Sequence, residues 1–70
     1  MRKENYTICA ESVELAESMV KALKRARVSA TRTGVFVEFY GTGRKCAAAL
    51  GMSAAAFAIA TRHGWITARV

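Results

Sequence analysis

The sequence predicts a small α+β domain with the element order β-α-β-β-α-β, and three observations carry this prediction. The chain of 70 residues is long enough for one domain (1–70). Its core is expected to be small, because fourteen of the apolar residues are alanine. Two segments have the apolar periodicity of helices, and four short segments alternate as strands do. The absence of proline and a charged fraction of 23% argue against disorder. This order is typical of a ferredoxin-like split β-α-β sheet.

The first strand and the first helix occupy the beginning of the chain. Residues 5–11 predict a strand, because β-branched and aromatic side chains recur in rough alternation. Ser12 is a candidate N-cap, and residues 13–27 place an apolar stripe opposite a charged face. Glutamates come early in this helix and basic residues come late, which suits the helix dipole. The basic residues expected together at its end are Lys21, Lys24, Arg25 and Arg27.

The next two strands are predicted to form a hairpin. Residues 28–33 and 35–40 have strand-forming composition and flank a short turn. Phe36 and Tyr40 fall on one face of the second strand, while the other face also carries an aromatic residue. We expect the glycine-containing segment 41–43 to end this strand.

The second helical segment covers residues 44–63, and its pattern allows two structures. As one straight helix it would be apolar on two opposite faces, although a single sheet covers only one. Alternatively, the helix breaks at Gly51, which can adopt a positive φ, and Ser53 caps a new helix. Gly64 ends the segment, and residues 65–70 alternate as a last strand.

Charge is distributed unevenly along the chain. Residues 1–17 hold two basic residues against four glutamates, whereas residues 18–70 hold nine basic residues against Glu38 alone, within a formal net charge of +6. This balance favours a polyanionic partner, nucleic acid first and an anionic membrane surface second. No segment predicts a signal peptide or a membrane span. Because Cys9 and Cys46 form no disulfide framework, we expect reduced thiols in a cytoplasmic protein.

Residues 43–64 also contain apolar residues and glycines at defined spacings. The pattern is formed by Cys46, Ala47, Leu50, Gly51, Met52, Phe57, Ala60 and Gly64. With the break at Gly51, it resembles the helix-turn-helix of Cro-type phage repressors. The resemblance implies a DNA-binding regulator in which Ser53 and Arg62 lie nearest the bases. The phosphate contacts that it implies come from Arg44, Lys45, Arg62 and Arg69.

A second pattern lies in residues 32–39, where Phe36 and a second phenylalanine follow an arginine and a glycine. This segment is similar to the third-strand motif of RNA-recognition domains, with Gly34 in the position of the motif's first aromatic residue. The similarity implies that the open sheet face binds single-stranded RNA, with Phe36 as a platform for a stacked base.

Groups for catalysis or metal binding are scarce in the sequence. His63 is the sole histidine, there is no aspartate, and the two cysteines are far apart, so no metal-site spacing occurs. The glycine-rich segment 41–45 lacks the spacing of a Walker loop. We therefore expect a protein with no enzymatic activity, no metal and no cofactor.

The sequence favours a small, basic nucleic-acid-binding protein that acts as a homodimer, with DNA as the first candidate ligand and RNA as the second. The residues predicted to contact nucleic acid are Arg44, Lys45, Ser53, Arg62 and Arg69, with a secondary basic cluster at Lys21, Lys24, Arg25 and Arg27. The alternative is a non-enzymatic adaptor or inhibitor. It would bind another protein through a sheet edge or through a face that carries Met52 and Ile59.

Overall fold

A computed structural model describes residues 3–69, which form a four-stranded antiparallel sheet and three helices. The elements are β1 (Lys3–Cys9), α1 (Val13–Arg25), β2 (Ser29–Thr33), β3 (Phe36–Thr42), α2 (Gly43–Ala49), α3 (Ala54–Arg62) and β4 (Ile66–Arg69). The α+β class is confirmed, and the second helical segment consists of two helices. Most predicted limits shift by one or two residues, and Val70, predicted to end the last strand, lies outside the described residues.

The sheet has the predicted split β-α-β topology. Its strand order is β2-β3-β1-β4, and every neighbouring pair is antiparallel. β3 therefore lies between β1 and β2, which α1 connects. In this register Tyr6 lies opposite Phe39 and Ala68, and Thr7 lies opposite Glu38 and Thr67. Since side chains alternate along a strand, one face of the sheet packs against the helices and the other is open.

The core lies between the covered face of the sheet and the helices. Tyr6 is its centre: its ring stacks on Phe39 with centroids 5.5 Å apart and meets the edge of Phe57 at 5.0 Å. Leu23 of α1 and Val37 of β3 are fully buried in the same cluster. The long apolar and aromatic side chains here supply most of the hydrophobic stabilisation, because alanine buries little area.

The predicted end of the second hairpin strand at residue 40 is wrong, since β3 continues through Gly41 to Thr42. Gly41 is buried, and a Cβ at this position would lie 3.3 Å from the Sγ of Cys46. This glycine therefore allows close approach of α2 to the sheet instead of ending the strand. Thr42 then caps α2, its hydroxyl accepting a hydrogen bond from the Lys45 N–H at 3.2 Å.

Of the two structures predicted for the second helical segment, the broken form is confirmed and the straight helix is wrong. Gly51 has φ +73°, and the Met52 N–H donates to the Ala47 carbonyl at 2.8 Å. This is the hydrogen bond of a Schellman motif, which ends a helix at a left-handed residue. Ser53 then caps α3, its hydroxyl accepting from the Ala56 N–H at 3.1 Å.

Candidate nucleic-acid interface

The fold brings basic residues from three separate segments to one end of the sheet. β1 and β2 begin at this end and β3 finishes there, since Lys3 pairs with Thr42 and Ser29 pairs with Tyr40. The last turn of α1 and the first turn of α2 reach the same end. We call it the basic end and define it by Lys3, Lys24, Arg25, Arg27, Arg44 and Lys45.

The centre of the basic end is a cavity of about 210 Å³, which we call the basic cavity. Three of its lining residues are cations, namely Lys3, Arg27 and Lys45. The other lining residues are Val28, Ser29, Tyr40, Gly41 and Thr42, so within residues 3–69 no carboxylate lines it. Three positive charges without a neutralising carboxylate repel one another, and an anion placed among them would relieve that repulsion.

Arg27 reaches the basic cavity from a backbone position that arginine rarely occupies. It has φ +63°, and no other non-glycine residue in the described part of the chain has a positive φ. Its N–H donates to the Lys24 carbonyl at 2.9 Å, and the Val28 N–H donates to the Leu23 carbonyl at 2.8 Å. These two bonds form the Schellman motif that ends α1. The left-handed residue of that motif is usually glycine, so the arginine is conformationally strained.

The open face of the sheet adjoins the basic cavity and carries exposed aromatic side chains. On β3, Phe36 is 50% exposed and Tyr40 is 45% exposed, and Tyr40 also lines the cavity. Glu38 lies between them on the same face and is exposed.

Beyond the end of α3, Trp65 is 66% exposed and stacks on His63 with ring centroids 4.9 Å apart.

A second cavity, of about 340 Å³, lies between α2, α3 and the covered side of β1. Arg44 and Glu4 both line it, so its charge is mixed, in contrast to the basic cavity. The Tyr6 hydroxyl donates to Glu4 Oε2 at 3.1 Å. Burial, with the hydrogen bond to Glu4 as a second cause, raises the pKa of Tyr6 to about 12. Tyr6 therefore remains protonated at neutral pH and keeps the Glu4 carboxylate engaged.

The structure does not bring the residues predicted to contact nucleic acid together at one cavity. Arg44 and Lys45 are exposed in the first turn of α2, but they line different cavities. Ser53 is the N-cap of α3, and Arg62 is exposed in the last turn of that helix. Arg69 ends β4 with its Cα opposite Asn5, and its side chain lies outside the described structure.

The secondary basic cluster is better connected than the sequence indicated. Lys21, Lys24 and Arg25 are exposed on α1, and Arg27 follows in the loop to β2. Through the basic cavity, Arg27 joins Lys45 of the first predicted set.

Sequence reasoning missed Lys3 as a candidate contact. Its nearness to Lys45 depends on the pairing of β1 with β3, which joins segments far apart in the chain. No local motif surrounds Lys3. The alternation of side chains along the hairpin did place Tyr40 on one face of the second strand with Phe36. It did not indicate that Tyr40 lines the basic cavity.

The cysteines and the lone histidine have positions that the core and the helix ends explain. Cys46 is fully buried, and burial raises the pKa of its thiol, so it remains protonated and acts as a packing residue. Cys9 is exposed on β1. Across residues 3–69, no three His, Cys, Asp or Glu side chains are grouped as a metal ion would require. None of the helices in that range has the length and apolarity to cross a membrane.

Comparison of the chain with protein-family models, curated proteins and solved structures finds no match.

Proposed function

We propose that this protein binds nucleic acid through phosphate contacts made at its basic end. The observation that carries this proposal is the convergence of Lys3, Arg27 and Lys45 around one cavity without a carboxylate. A guanidinium offers a planar fork of donors to phosphate oxygens, and the ammonium groups add compact positive charge. A polyanion is the ligand class that such a surface fits best.

The positions of the carboxylates support the same proposal. Glu11 precedes α1 and Glu14 lies in its first turn, at the end of the sheet where β1 finishes. Glu17 Oε1 lies 3.8 Å from Arg32 Nη2, and Glu4 accepts the Tyr6 hydroxyl on the covered side. Glu38 is exposed on the open face but does not line the basic cavity. The net charge of +6 is thus unevenly distributed in space, and this asymmetry orients the protein as it approaches a polyanion.

The proposed biological role is that of a non-enzymatic cytoplasmic regulator that binds DNA as a homodimer. The break between α2 and α3 favours the helix-turn-helix interpretation, in which Ser53 and Arg62 approach base edges. Arg62 lines neither of the two cavities described above. Its substitution therefore separates a contact made by α3 from contacts made in the basic cavity.

The test is a salt titration of labelled DNA binding, with fluorescence anisotropy as the readout. With the three cavity cations engaged, the logarithm of affinity should fall with the logarithm of salt concentration with a slope of about −3. Arg27→Ala and Lys45→Ala should each lower the magnitude of the slope by about 1. Arg32→Ala removes the same charge outside the basic end and outside the predicted contacts, and it is the matched control that should leave the slope unchanged. No binding at low salt, or binding that salt does not weaken, would disprove the proposal.

A second candidate function, protein binding, is favoured by an apolar groove between α1 and α2. The groove measures about 310 Å³, and its apolar lining residues include Leu15, Met19, Leu50 and Met52. Leu15 is 41% exposed. Met52 lies in the turn between α2 and α3 and lines the groove. Ile59, which was predicted to share a face with Met52, is exposed on α3 and does not line the groove.

The protein-binding function is tested by affinity purification from nuclease-treated extract. It requires one stoichiometric protein partner that survives the nuclease and is lost on Leu15→Lys substitution. Co-purification of proteins that disappears with nuclease treatment favours nucleic-acid binding instead.

A further inference from the structure

We propose that the basic cavity and Tyr40 together hold one nucleotide of a single strand, with a phosphate in the cavity and the base stacked on the tyrosine ring. This inference rests on the phosphate binding of the proposed function and not on its helix-turn-helix interpretation, and it specifies the ligand as unpaired nucleic acid. It is carried by the position of Tyr40, which belongs both to the wall of the cavity and to the open face of the sheet.

The phosphate position is argued first from Arg27. An arginine at φ +63° is strained where glycine would be relaxed, although the hydrogen bonds that end α1 require only the backbone. The side chain lines the basic cavity opposite the lysines, and no carboxylate among the residues lining the cavity pairs with it. Strain that the fold does not need is typical of functional positions. An anion held by Arg27, Lys3 and Lys45 accounts for this arginine.

The base position is argued from the surroundings of Tyr40. Its cross-strand neighbours are Ser29 on β2 and Asn5 on β1, both small polar residues that leave the ring accessible. The ring is 45% exposed, whereas the tyrosine on the other face, Tyr6, is buried in the core. An exposed aromatic ring beside a positively charged cavity is the combination of stacking and backbone contact with which proteins bind single strands.

The same geometry favours a single strand over a duplex. Bases in a duplex are stacked on each other and cannot lie flat on a protein ring, so only an unpaired base can use Tyr40. Phe36 offers a second ring four residues away on the same face, roughly 14 Å along β3. Glu38 lies between the two rings and repels phosphates. The sugar-phosphate backbone of the nucleic acid therefore stays beside the basic cavity, and its bases face the sheet.

The test compares labelled oligothymidine with a hairpin duplex of equal phosphate number, using the full chain and fluorescence anisotropy. Tyr40→Thr removes the ring and keeps strand propensity, Tyr40→Val is a second non-aromatic variant, and Tyr40→Phe is the control that keeps the ring. We expect tighter binding of oligothymidine than of duplex. Both non-aromatic variants should lose about tenfold in affinity for oligothymidine, about 1.4 kcal/mol, while Tyr40→Phe stays near the original value.

The outcomes separate this inference from the proposed function. If Arg27→Ala and Lys45→Ala weaken binding but the non-aromatic Tyr40 variants do not, the nucleotide site is wrong and phosphate binding stands. Tighter binding of the duplex than of oligothymidine also overturns the inference. If neither ligand binds in a salt-dependent manner, the proposed function fails and this inference with it. Thermal unfolding of each variant, followed by circular dichroism, verifies that the fold is retained.

Discussion

The three helices within residues 3–69 are each followed by one residue in the left-handed conformation, but this residue is not of the same type in all three. It is Gly51 after α2 and Gly64 after α3, with φ +73° and +81°, and it is Arg27 after α1, with φ +63°. In each case the next residue donates a hydrogen bond back to the last turn, as in a Schellman motif. The backbone geometry is thus shared, and only the side chain at the left-handed position distinguishes the three ends.

This difference separates a structural requirement from a functional one. A Cβ added at Gly51 or Gly64 would contact nothing, so these glycines are favoured for their backbone freedom and not by lack of space. Arg27 carries a left-handed strain of about 1 kcal/mol, and among residues 3–69 it follows the only C-terminal helix end that adjoins the basic cavity. After α2 and α3 the left-handed position is occupied by glycine, which prefers that conformation. After α1 it is occupied by Arg27, which does not prefer it and which brings a positive charge to the basic cavity.

The largest effect on stability is expected from Gly51→Val. A β-branched residue at φ +73° should lower the free energy of unfolding by about 2 kcal/mol through backbone strain alone, since no atom lies near the added Cβ. Urea denaturation measures this change. DNA affinity measured on the folded variant should remain unchanged, because Gly51 lies outside the basic end. An unaltered unfolding free energy would contradict the left-handed turn between α2 and α3.

Arg27→Gly should change stability and binding in opposite directions. Relief of the left-handed strain raises the free energy of unfolding by about 1 kcal/mol, partly offset by the greater entropy of a glycine in the unfolded chain. Loss of the guanidinium lowers oligonucleotide affinity by about fivefold at low salt. Urea denaturation and fluorescence anisotropy on one preparation measure both. Unchanged affinity would remove Arg27 from the proposed site.

Gly64→Arg places the same arginine at the matching position of α3. It should lower the free energy of unfolding by about 1 kcal/mol, since φ there is +81° and space is available for the side chain. Affinity for oligonucleotide should change by less than about twofold at moderate salt, where charges distant from the ligand are screened. If affinity rises as much as it falls in Arg27→Gly, then net charge and not the cavity determines binding.

Arg27→Lys should have the smallest effect. It keeps the charge and the backbone strain, and it removes only the planar fork of donors. The expected result is a roughly twofold loss of affinity for oligonucleotide, with the free energy of unfolding unchanged. A loss as large as that of Arg27→Gly would show that geometry, more than charge, governs phosphate binding at this position.

Local patterns in the sequence were sufficient for the elements of the fold. Alternation in the hairpin placed Phe36 and Tyr40 on one face, and both are exposed there. The preference of glycine for positive φ and of serine for N-caps supplied the break at Gly51 and the cap at Ser53 as one of two alternatives, and the structure has this one. Each of these depends on neighbours within a few residues, which is why the sequence alone could predict them.

Two points were misjudged because the local sequence carries no sign of them. Gly41 has the composition of a strand end, but its close contacts with Cys46 and Val28 make it a buried strand residue. Arg27 was predicted as the end of a basic helix, whereas its left-handed backbone sets it in the loop to β2. An arginine in that conformation is not expected from its composition, since glycine usually occupies it.

The α+β class and the excess of positive charge follow from the sequence, because propensity, periodicity and composition are local or additive properties. The order of the elements follows too, except that one helix or two remained open for residues 44–63. Which cations meet depends instead on the folded arrangement of the chain. Lys3, Arg27 and Lys45 are brought to one cavity by the β1–β3 pairing and by the end of α1. The physical reason is that strand pairing and helix packing join residues by burial and hydrogen bonding, whatever their separation along the chain.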